Sequence, residues 1–275
     1  MASEGLQGHR ARKRFGQNFL HDRHWIERIA KAVNATEGDD IVEIGPGQAA
    51  LTRELIAGAG KVRAVEIDRD LAAWLKETFP ESLSLIEADA LTLDWTQVAK
   101  NDNLRVVGNL PYNISSPLLF KLLEAADHVK DQHFMLQKEV VDRMVAQHGS
   151  KTYGRLSVML QWRYRMQKLF DVPPGAFNPP PKVMSSVVRM IPKTKEEVPS
   201  VDFELFSSVV ANAFSQRRKT IRNALSALLS AEEIAACDVD PGARAEALPL
   251  DAFVHLAQKA EALGRKAVTP GTTVD

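Results

Sequence analysis

One pattern runs through the first half of the chain: short apolar segments alternate with segments of helical periodicity. Four of the apolar segments are predicted as strands, and each ends in glycine or a polar residue; they cover residues 40–45, 61–68, 83–87 and 104–108. Strands that alternate with helices at this spacing require right-handed crossovers and form a parallel sheet covered by helices on both faces. The chain is therefore predicted to contain a doubly wound α/β domain.

The last third of the sequence has a different pattern. Residues 193–200 are polar and bounded by prolines, which predicts a linker. Helical patterns follow it without a convincing strand, so we predict an α/β domain over residues 1–195 and a small all-helical domain over residues 196–275. Residues 155–165 combine helical and strand signals, and periodicity does not decide between them. Two later strands are predicted at residues 133–137 and 187–192.

Composition excludes several classes of protein. A hydrophobic fraction of 45% with 25% charged residues is typical of soluble globular chains. No segment approaches the roughly 18 apolar residues of a membrane span, so no membrane association is expected. The single cysteine, Cys237, excludes an intrachain disulfide and fits a reducing cytoplasm. The histidines lack the spacing of a metal site, and we expect none.

A formal net charge of zero hides an uneven distribution of charge. Residues 151–195 carry nine lysines and arginines against one acid, Asp171. Two further basic clusters stand near the ends of the chain, at Arg10, Arg12, Lys13 and Arg14 and at Arg217, Arg218, Lys219 and Arg222. Basic patches on a neutral chain can attract a polyanion, but they also occur as ordinary solvated surface. Charge alone leaves both interpretations open.

The strand ends carry residues suited to a ligand site, because ligands of parallel sheets bind at the carboxyl ends of the strands. Residues 45–49 (GPGQA) follow the first strand. Their glycines permit a ligand to approach the backbone closely, and the N-terminus of the next helix offers N–H donors to an anion. Glu66 ends the second strand and can accept both hydroxyls of a ribose, and Asp89 follows the third. The loop lacks the dinucleotide and P-loop fingerprints. S-adenosylmethionine has an amino-acid end, a ribose and a purine, and would use all three positions.

Residues 109–112 (NLPY) follow the fourth strand and carry the most specific chemistry. An exocyclic aromatic amine is a poor nucleophile, because its lone pair is delocalised into the ring. Asn109 Oδ1 and the Leu110 carbonyl could accept its two N–H bonds and stabilise the positive charge that develops on nitrogen during attack. Tyr112 offers a face on which an extruded purine can stack. The alternative is a turn in which Asn109 is a cap and Tyr112 fills the core.

With these residues identified, the chain closely resembles the small-subunit ribosomal RNA adenine N6,N6-dimethyltransferases over roughly residues 10–265. The matching segments are residues 14–20 (RFGQNFL), 42–47 (VEIGPG), 66–68 (EID), 87–89 (EAD), 108–115 (GNLPYNIS), 177–183 (FNPPPKV) and 214–223 (FSQRRKTIRN). One departure is Ala49, where many methylases have a third glycine. The resemblance implies a Rossmann-like class I methyltransferase sheet with a helical C-terminal domain.

The resemblance also implies S-adenosylmethionine as the cofactor and assigns roles to residues. The implied cofactor-binding residues are Asn18, Leu20, Gly45, Gly47, Glu66, Asp89 and Asn109. Asn18 and the Leu20 backbone would lie at the methionine end, Glu66 would hold the ribose and Asp89 the adenine amine. The implied catalytic residues are Asn109, Leu110, Tyr112 and Phe177, with the two aromatic rings enclosing the target adenine.

The implied substrate is a pair of adjacent adenines, each methylated twice, in a hairpin loop near the 3′ end of small-subunit rRNA within the pre-30S particle. RNA loops are recognised by shape, stacking and backbone charge, so the basic clusters are candidates for phosphate contacts. These RNA-binding candidates are Arg12, Lys13, Arg14, Arg217, Arg218, Lys219 and Arg222. We expect the helical C-terminal domain to contribute to rRNA binding, and the protein to act as a cytoplasmic monomer.

Two other functions remain open from sequence. A related adenine-N6 methylase acting on large-subunit rRNA would have the same cofactor site. A ribosome-assembly checkpoint factor, in which binding rather than methylation is the main role, would keep the same fold. A small-molecule methylase leaves the residues 109–112 and the basic clusters unexplained.

Overall fold

The computed structural model of the chain describes residues 6, 11–12, 15–99, 102–216 and 218–270. Three of the expected RNA-binding residues, Lys13, Arg14 and Arg217, lie outside the described residues. The chain divides into two compact units. The first comprises the residues through Val141 together with Arg165–Pro192, and the second comprises Asp142–Tyr164 together with the residues from Lys193 onward.

The strands of the described chain belong to two sheets. Their bounds are β1 (Phe19–Leu20), β2 (Asp40–Ile44), β3 (Val62–Glu66), β4 (Leu83–Glu87), β5 (Leu104–Asn109), β6 (Val129–Gln137), β7 (Tyr164–Val172), β8 (Phe177–Asn178) and β9 (Ser185–Pro192). A seven-stranded sheet has the order β4-β3-β2-β5-β6-β9-β7, and β1 pairs with β8 in a two-stranded sheet. The strands from β4 to β6 are parallel and β9 is antiparallel to β6. The sheet is therefore mixed.

The helices confirm the predicted α/β class. Their bounds are α1 (Arg23–Val33), α2 (Ala50–Ala59), α3 (Arg69–Thr78), α4 (Trp95–Val98), α5 (Ser115–Leu122), α6 (Lys138–Met144), α7 (Arg155–Arg163), α8 (Phe203–Ala213), α9 (Ile221–Ala224), α10 (Ala231–Ala235) and α11 (Leu250–Ala262). Among the described residues, none of these helices has the length and apolar character required to cross a bilayer.

The centre of the large sheet determines where a ligand can bind. β2 and β5 are adjacent and almost wholly buried, as expected of strands covered on both faces. Strand order reverses between them, so the connections that follow the two strands leave in opposite directions and a crevice forms beyond their carboxyl ends. Gly108 in β5 has to be glycine, because a Cβ there would lie 2.8 Å from the Ile44 carbonyl oxygen. The crevice is thus fixed by the two strands that the apolar pattern predicted most clearly.

The structure resolves the ambiguous segment at residues 155–165. Helix α7 ends at Arg163 and β7 begins at Tyr164 without an intervening turn, so two periodicities meet within the same window. Arg163 also pairs with Lys193, since its Nη1 donates to the Lys193 carbonyl (2.6 Å) and its own carbonyl accepts from Lys193 N (2.9 Å).

The second unit is helical, and no strand follows Lys193 within the described residues. Trp162 of α7 packs against Phe203 and Phe206 of α8, with ring centroids 5.5 and 5.3 Å apart. Because α7 packs on α8 and α11, Asp142–Tyr164 belongs to this unit, although the sequence pattern had placed it in the first domain.

Candidate active site

A cavity of about 310 Å³ opens at the carboxyl ends of β2 to β5. Its walls come from residues 15–20, the loop after β2, and the residues that follow β3, β4 and β5. The structure brings together every residue predicted to bind the cofactor, namely Asn18, Leu20, Gly45, Gly47, Glu66, Asp89 and Asn109, and adds Leu110 and Tyr112 to the same lining. All of these residues belong to the first unit.

The glycine loop adopts a backbone conformation that favours glycine. Gly45 and Gly47 have φ values of +67° and +55°. Gly45 N donates to the Val65 carbonyl (2.8 Å), which ties the loop to the end of β3. A Cβ on Gly47 would lie 3.0 Å from the Phe19 ring. Ala49 also has a positive φ, +61°, so the departure from the family pattern is accommodated in the left-handed conformation.

Glu66 is held at the cavity by backbone amides. Its side chain is 5% exposed, Oε2 accepts from Gly47 N (3.2 Å), and Oε1 accepts from Asp68 N (2.9 Å). Burial raises the pKa of this carboxyl, and the amide hydrogen bonds partly oppose that shift. A carboxylate oxygen with one amide donor keeps a lone pair for a ligand hydroxyl.

Glu43 is a second acid in the cavity wall, and sequence reasoning assigned it no role. It is buried, and Thr52 Oγ1 donates to its Oε2 at 2.6 Å. Burial raises the pKa of Glu43 to about 8, and the nearby charge of Glu66 adds to that shift. Glu43 is therefore largely protonated at neutral pH and can donate a hydrogen bond. The available signal was an acid inside an otherwise apolar strand.

The two ends of the Asn109 amide have different surroundings. Its Nδ2 donates to the Asn18 carbonyl at 3.1 Å, whereas Oδ1 accepts no hydrogen bond from the described part of the chain. Leu110 N donates to the Met135 carbonyl (3.1 Å), and the Leu110 carbonyl likewise receives no donor from the described residues. Two acceptors at the carboxyl end of β5 are thus available for an amino group.

The two aromatic residues expected to enclose a base have different environments. Tyr112 lines the cavity, and its hydroxyl is 2.8 Å from Ser185 Oγ. Burial raises the pKa of Tyr112. Phe177 is absent from the lining: it is 3% exposed, pairs with Leu20 in the β1–β8 ladder and packs in the core. That Phe177 contacts the base therefore stays a prediction.

The described basic residues also differ in their surroundings. Arg12 donates from Nη1 to Asp68 (3.0 Å) and from Nη2 to Asp70, so it bridges two carboxylates where an RNA phosphate was expected from the sequence. Arg218, Lys219 and Arg222 are exposed beside and within α9 of the second unit.

Similarity to known proteins decides the family. The family model described as ribosomal RNA adenine dimethylase matches residues 8–261. The chain belongs to the ribosomal RNA adenine dimethylase family. The predicted family and the predicted class of enzyme are confirmed.

Relatives of this dimethylase match over most of their length. Ribosomal RNA small subunit methyltransferase A of Acinetobacter baylyi is 53% identical over 256 residues, which cover 92% of this chain and 93% of the relative. The Thiobacillus denitrificans protein of the same name is 57% identical over 241 residues, which cover 87% of this chain and 94% of the relative.

Solved structures confirm the methyltransferase fold of the dimethylase. A dimethyladenosine transferase from Plasmodium falciparum is 25% identical with a TM-score of 0.79, over 91% of this chain and 100% of that one. The 23S rRNA methyltransferase ErmE is 26% identical with a TM-score of 0.69, over 89% of this chain and 100% of that one.

Proposed function

We propose that this dimethylase transfers methyl groups from S-adenosylmethionine to N6 of two adjacent adenines in the 3′-terminal hairpin loop of small-subunit rRNA, giving N6,N6-dimethyladenosine during ribosome assembly. The observation that carries the chemistry is a pair of acceptors in the cavity at the sheet's switch point, Asn109 Oδ1 and the Leu110 carbonyl, which receive no donor from the described residues. The identity above 50% to small subunit methyltransferases supports the choice of rRNA.

The residues present fit S-adenosylmethionine. Gly45 and Gly47 line the cavity without side chains, which lets its amino-acid end approach the backbone of the loop. Glu66 offers oxygens to the ribose hydroxyls. Asp89 accepts from Leu91 N through Oδ1 (2.9 Å), while its Oδ2 has no donor in the described chain and suits the adenine amine. When bound, this cofactor supplies an electrophilic methyl group.

The protein's own part in the reaction is orientation and charge stabilisation. Asn109 Oδ1 and the Leu110 carbonyl accept hydrogen bonds from the two N–H groups of N6. This geometry reduces the delocalisation of the nitrogen lone pair into the purine ring and leaves it available for attack. Both acceptors stabilise the positive charge that develops on N6. Protonated N6 is strongly acidic, so it loses its proton without a dedicated base. Tyr112 provides a surface on which the target adenine stacks.

We assign the exposed basic residues of the second unit to rRNA binding. Arg218, Lys219 and Arg222 are exposed cations, which suits contacts to phosphates in a pre-30S particle. The helical C-terminal domain would thus add affinity to a catalytic first unit. A monomeric protein acting in the cytoplasm fits this assignment.

Methylation of large-subunit rRNA is the second candidate function, and the similarity to ErmE favours it. The chain is 26% identical to ErmE, with a TM-score of 0.69. Its sequence identity to small subunit methyltransferases is higher, at 53–57%. The higher identity therefore favours the small subunit.

Labelled S-adenosylmethionine incubated with unmethylated small or large subunits distinguishes the two functions. Nucleoside analysis should give N6,N6-dimethyladenosine from the small subunit alone, and primer extension should map it to adjacent adenines near the 3′ end. Label confined to large-subunit RNA would refute the proposal. Binding to immature small subunits without any methyl transfer would instead favour an assembly checkpoint factor.

A further inference from the structure

Residues 15–20 form one wall of the cavity, and the orientation of the Asn109 amide depends on that wall. Asn109 Nδ2 donates to the carbonyl of Asn18 at 3.1 Å. A primary amide has a donor end and an acceptor end, so this bond decides which end faces the cavity. If the Asn18 carbonyl moved away, the amide could rotate and present N–H donors to an adenine amine that itself donates.

Within the described residues, hydrogen bonds at each end of this wall join it to the rest of the first unit. One anchor is the β1–β8 ladder, in which Phe19 pairs with Asn178 and Leu20 with Phe177. The other lies earlier in the chain and joins the wall to the end of β3. Gln17 Nε2 donates to Asp68 Oδ2 at 3.0 Å.

Asp68 is the centre of the second anchor. Its side chain is fully buried and accepts from Gln17 on one oxygen and from Arg12 Nη1 (3.0 Å) on the other. Arg12 N in turn donates to Gln17 Oε1 at 2.7 Å, which closes a ring of hydrogen bonds. The bond from the guanidinium is charge-assisted, and a buried bond of this kind is strong and directional. Asp70 adds a further, exposed ion pair with Arg12.

We propose that Asp68 and Gln17 are positioning residues for methyl transfer: they hold residues 15–20 so that the Asn18 carbonyl fixes the Asn109 amide with its oxygen toward the target amine. This inference rests on the proposed function. It extends that function by two residues that the proposed chemistry does not use directly: Gln17 lines the cavity beside Asn18, and Asp68 is buried behind it. Groups that support a catalytic side chain in this way typically change activity about tenfold or more when removed.

Gln17→Leu and Asp68→Asn test the proposal, because each breaks the ring of hydrogen bonds. Leucine removes both hydrogen bonds of the Gln17 side chain. Asparagine has an acceptor at only one of the two positions that Gln17 and Arg12 contact, so one of these bonds is lost. We expect kcat for methylation of small subunits to fall about tenfold in each variant, while KM for the subunit stays within about twofold. The double variant should be no worse than the more severe single variant, because both changes break one ring.

Hydrogen exchange gives a readout that does not depend on activity. Amides of residues 15–20 should exchange faster in both variants without cofactor, because the hydrogen bonds that join the wall to Asp68 are then lost. Asp94→Asn is the matched control, because Asp68 and Asp94 are both helix N-caps, accepting from Asp70 N and Thr96 N, and Asp94 lies outside the cavity. It should change neither kcat nor exchange in the wall.

The outcomes separate this proposal from the proposed function. If wild-type protein methylates the small subunit but Gln17→Leu and Asp68→Asn match Asp94→Asn in kcat, the positioning role is wrong and the function stands. A large rise in subunit KM at unchanged kcat would also overturn it, because that result would indicate RNA binding by this segment. If wild-type protein fails to produce dimethyladenosine, the proposed function itself fails.

Discussion

At the scale of single residues, two neighbouring carboxyls are buried in the cavity wall. They differ in the hydrogen bonds that oppose the rise in pKa caused by burial. Glu66 accepts hydrogen bonds from backbone amides, which favour its ionised form. Glu43 receives a single hydroxyl bond from Thr52, and burial raises its pKa to about 8. Burial raises the pKa of both carboxyls, and only Glu66 has amide hydrogen bonds that oppose this shift. A neutral Glu43 avoids two adjacent buried charges.

The raised pKa of Glu43 makes stability depend on pH. The unfolded chain releases this proton near the ordinary value of 4.5, whereas the folded protein keeps it to about 8. The neutral form of Glu43 therefore contributes its full share of the free energy of unfolding below pH 4.5. That contribution is lost as the pH rises toward 8, by up to about 1.4 kcal/mol per pH unit. In denaturant titrations from pH 5 to 8, Glu43→Gln should gain stability relative to wild type as pH rises.

The matched control for Glu43 is Glu77→Gln in α3, at an exposed position. Its unfolding free energy should run parallel to that of wild type across the same pH range. A Glu43→Gln curve that is also parallel to wild type would show that Glu43 is ionised in the folded protein.

The sequence predicted those site residues whose position follows from topology. Glu66, Asp89 and Asn109 each end or follow a parallel strand, so all three had to meet at one edge of the sheet. Phe177 could not be placed in this way, because its burial depends on pairing with Leu20, far away in sequence. The partners of Arg12 could not be predicted either, since Asp68 lies 56 residues further along the chain.

At the scale of elements, the loop between β2 and α2 packs closely against the wall of the cavity. Gly47 lies against the ring of Phe19, and Gly45 is tied to β3. Both glycines have left-handed backbones. The loop can thus bring its backbone to a ligand only because neither position carries a side chain.

Gly47→Ala should therefore weaken cofactor binding. The new Cβ would meet the Phe19 ring at 3.0 Å, in addition to the strain of a positive φ. Gly38→Ala is the control: its φ is +84° but a Cβ there meets nothing within 4 Å. We expect each variant to lose about 1 kcal/mol of stability through strain, and Gly47→Ala alone to lose about tenfold in cofactor affinity by calorimetry. Equal affinities in the two variants would contradict a close approach at Gly47.

The element pattern was predictable where each apolar run was bounded by glycine or polar residues. The bounds of β2 and β5 agree with the predicted segments to within one residue. The junction of α7 and β7 was not predictable, because no turn residue separates Arg163 from Tyr164. The antiparallel direction of β9 depends on its pairing with β6, and its own sequence carries no signal for that partner.

At the scale of the whole molecule, the division into two units follows packing more than chain order. The second unit takes a segment, Asp142–Tyr164, from the middle of the chain, because α7 packs on α8 and α11. A composition shift at residues 193–200 marked only one of the places where the chain passes between units. The helical character of the C-terminal region was predictable, since its periodic segments contain no strand-like run.

Binding of rRNA should depend on salt through the second unit. Replacing Arg218, Lys219 and Arg222 together with alanine should weaken binding to small subunits. The slope of log Kd against log salt concentration should fall by about 0.7 to 0.9 for each phosphate that the protein no longer neutralises. Lys31→Ala, at an exposed position in α1, is the control and should leave the slope unchanged. An unchanged slope in the triple variant would exclude these residues from phosphate binding.

The central claim is that the Asn109 amide oxygen, with the Leu110 carbonyl, binds the target amine during methyl transfer. Its most direct test is to measure cofactor affinity and methyl transfer for Asn109→Ala beside Glu66→Ala. We predict that Asn109→Ala retains cofactor affinity but loses turnover by about a hundredfold or more, whereas Glu66→Ala chiefly loses affinity. Wild-type turnover in a folded Asn109→Ala protein would contradict the claim.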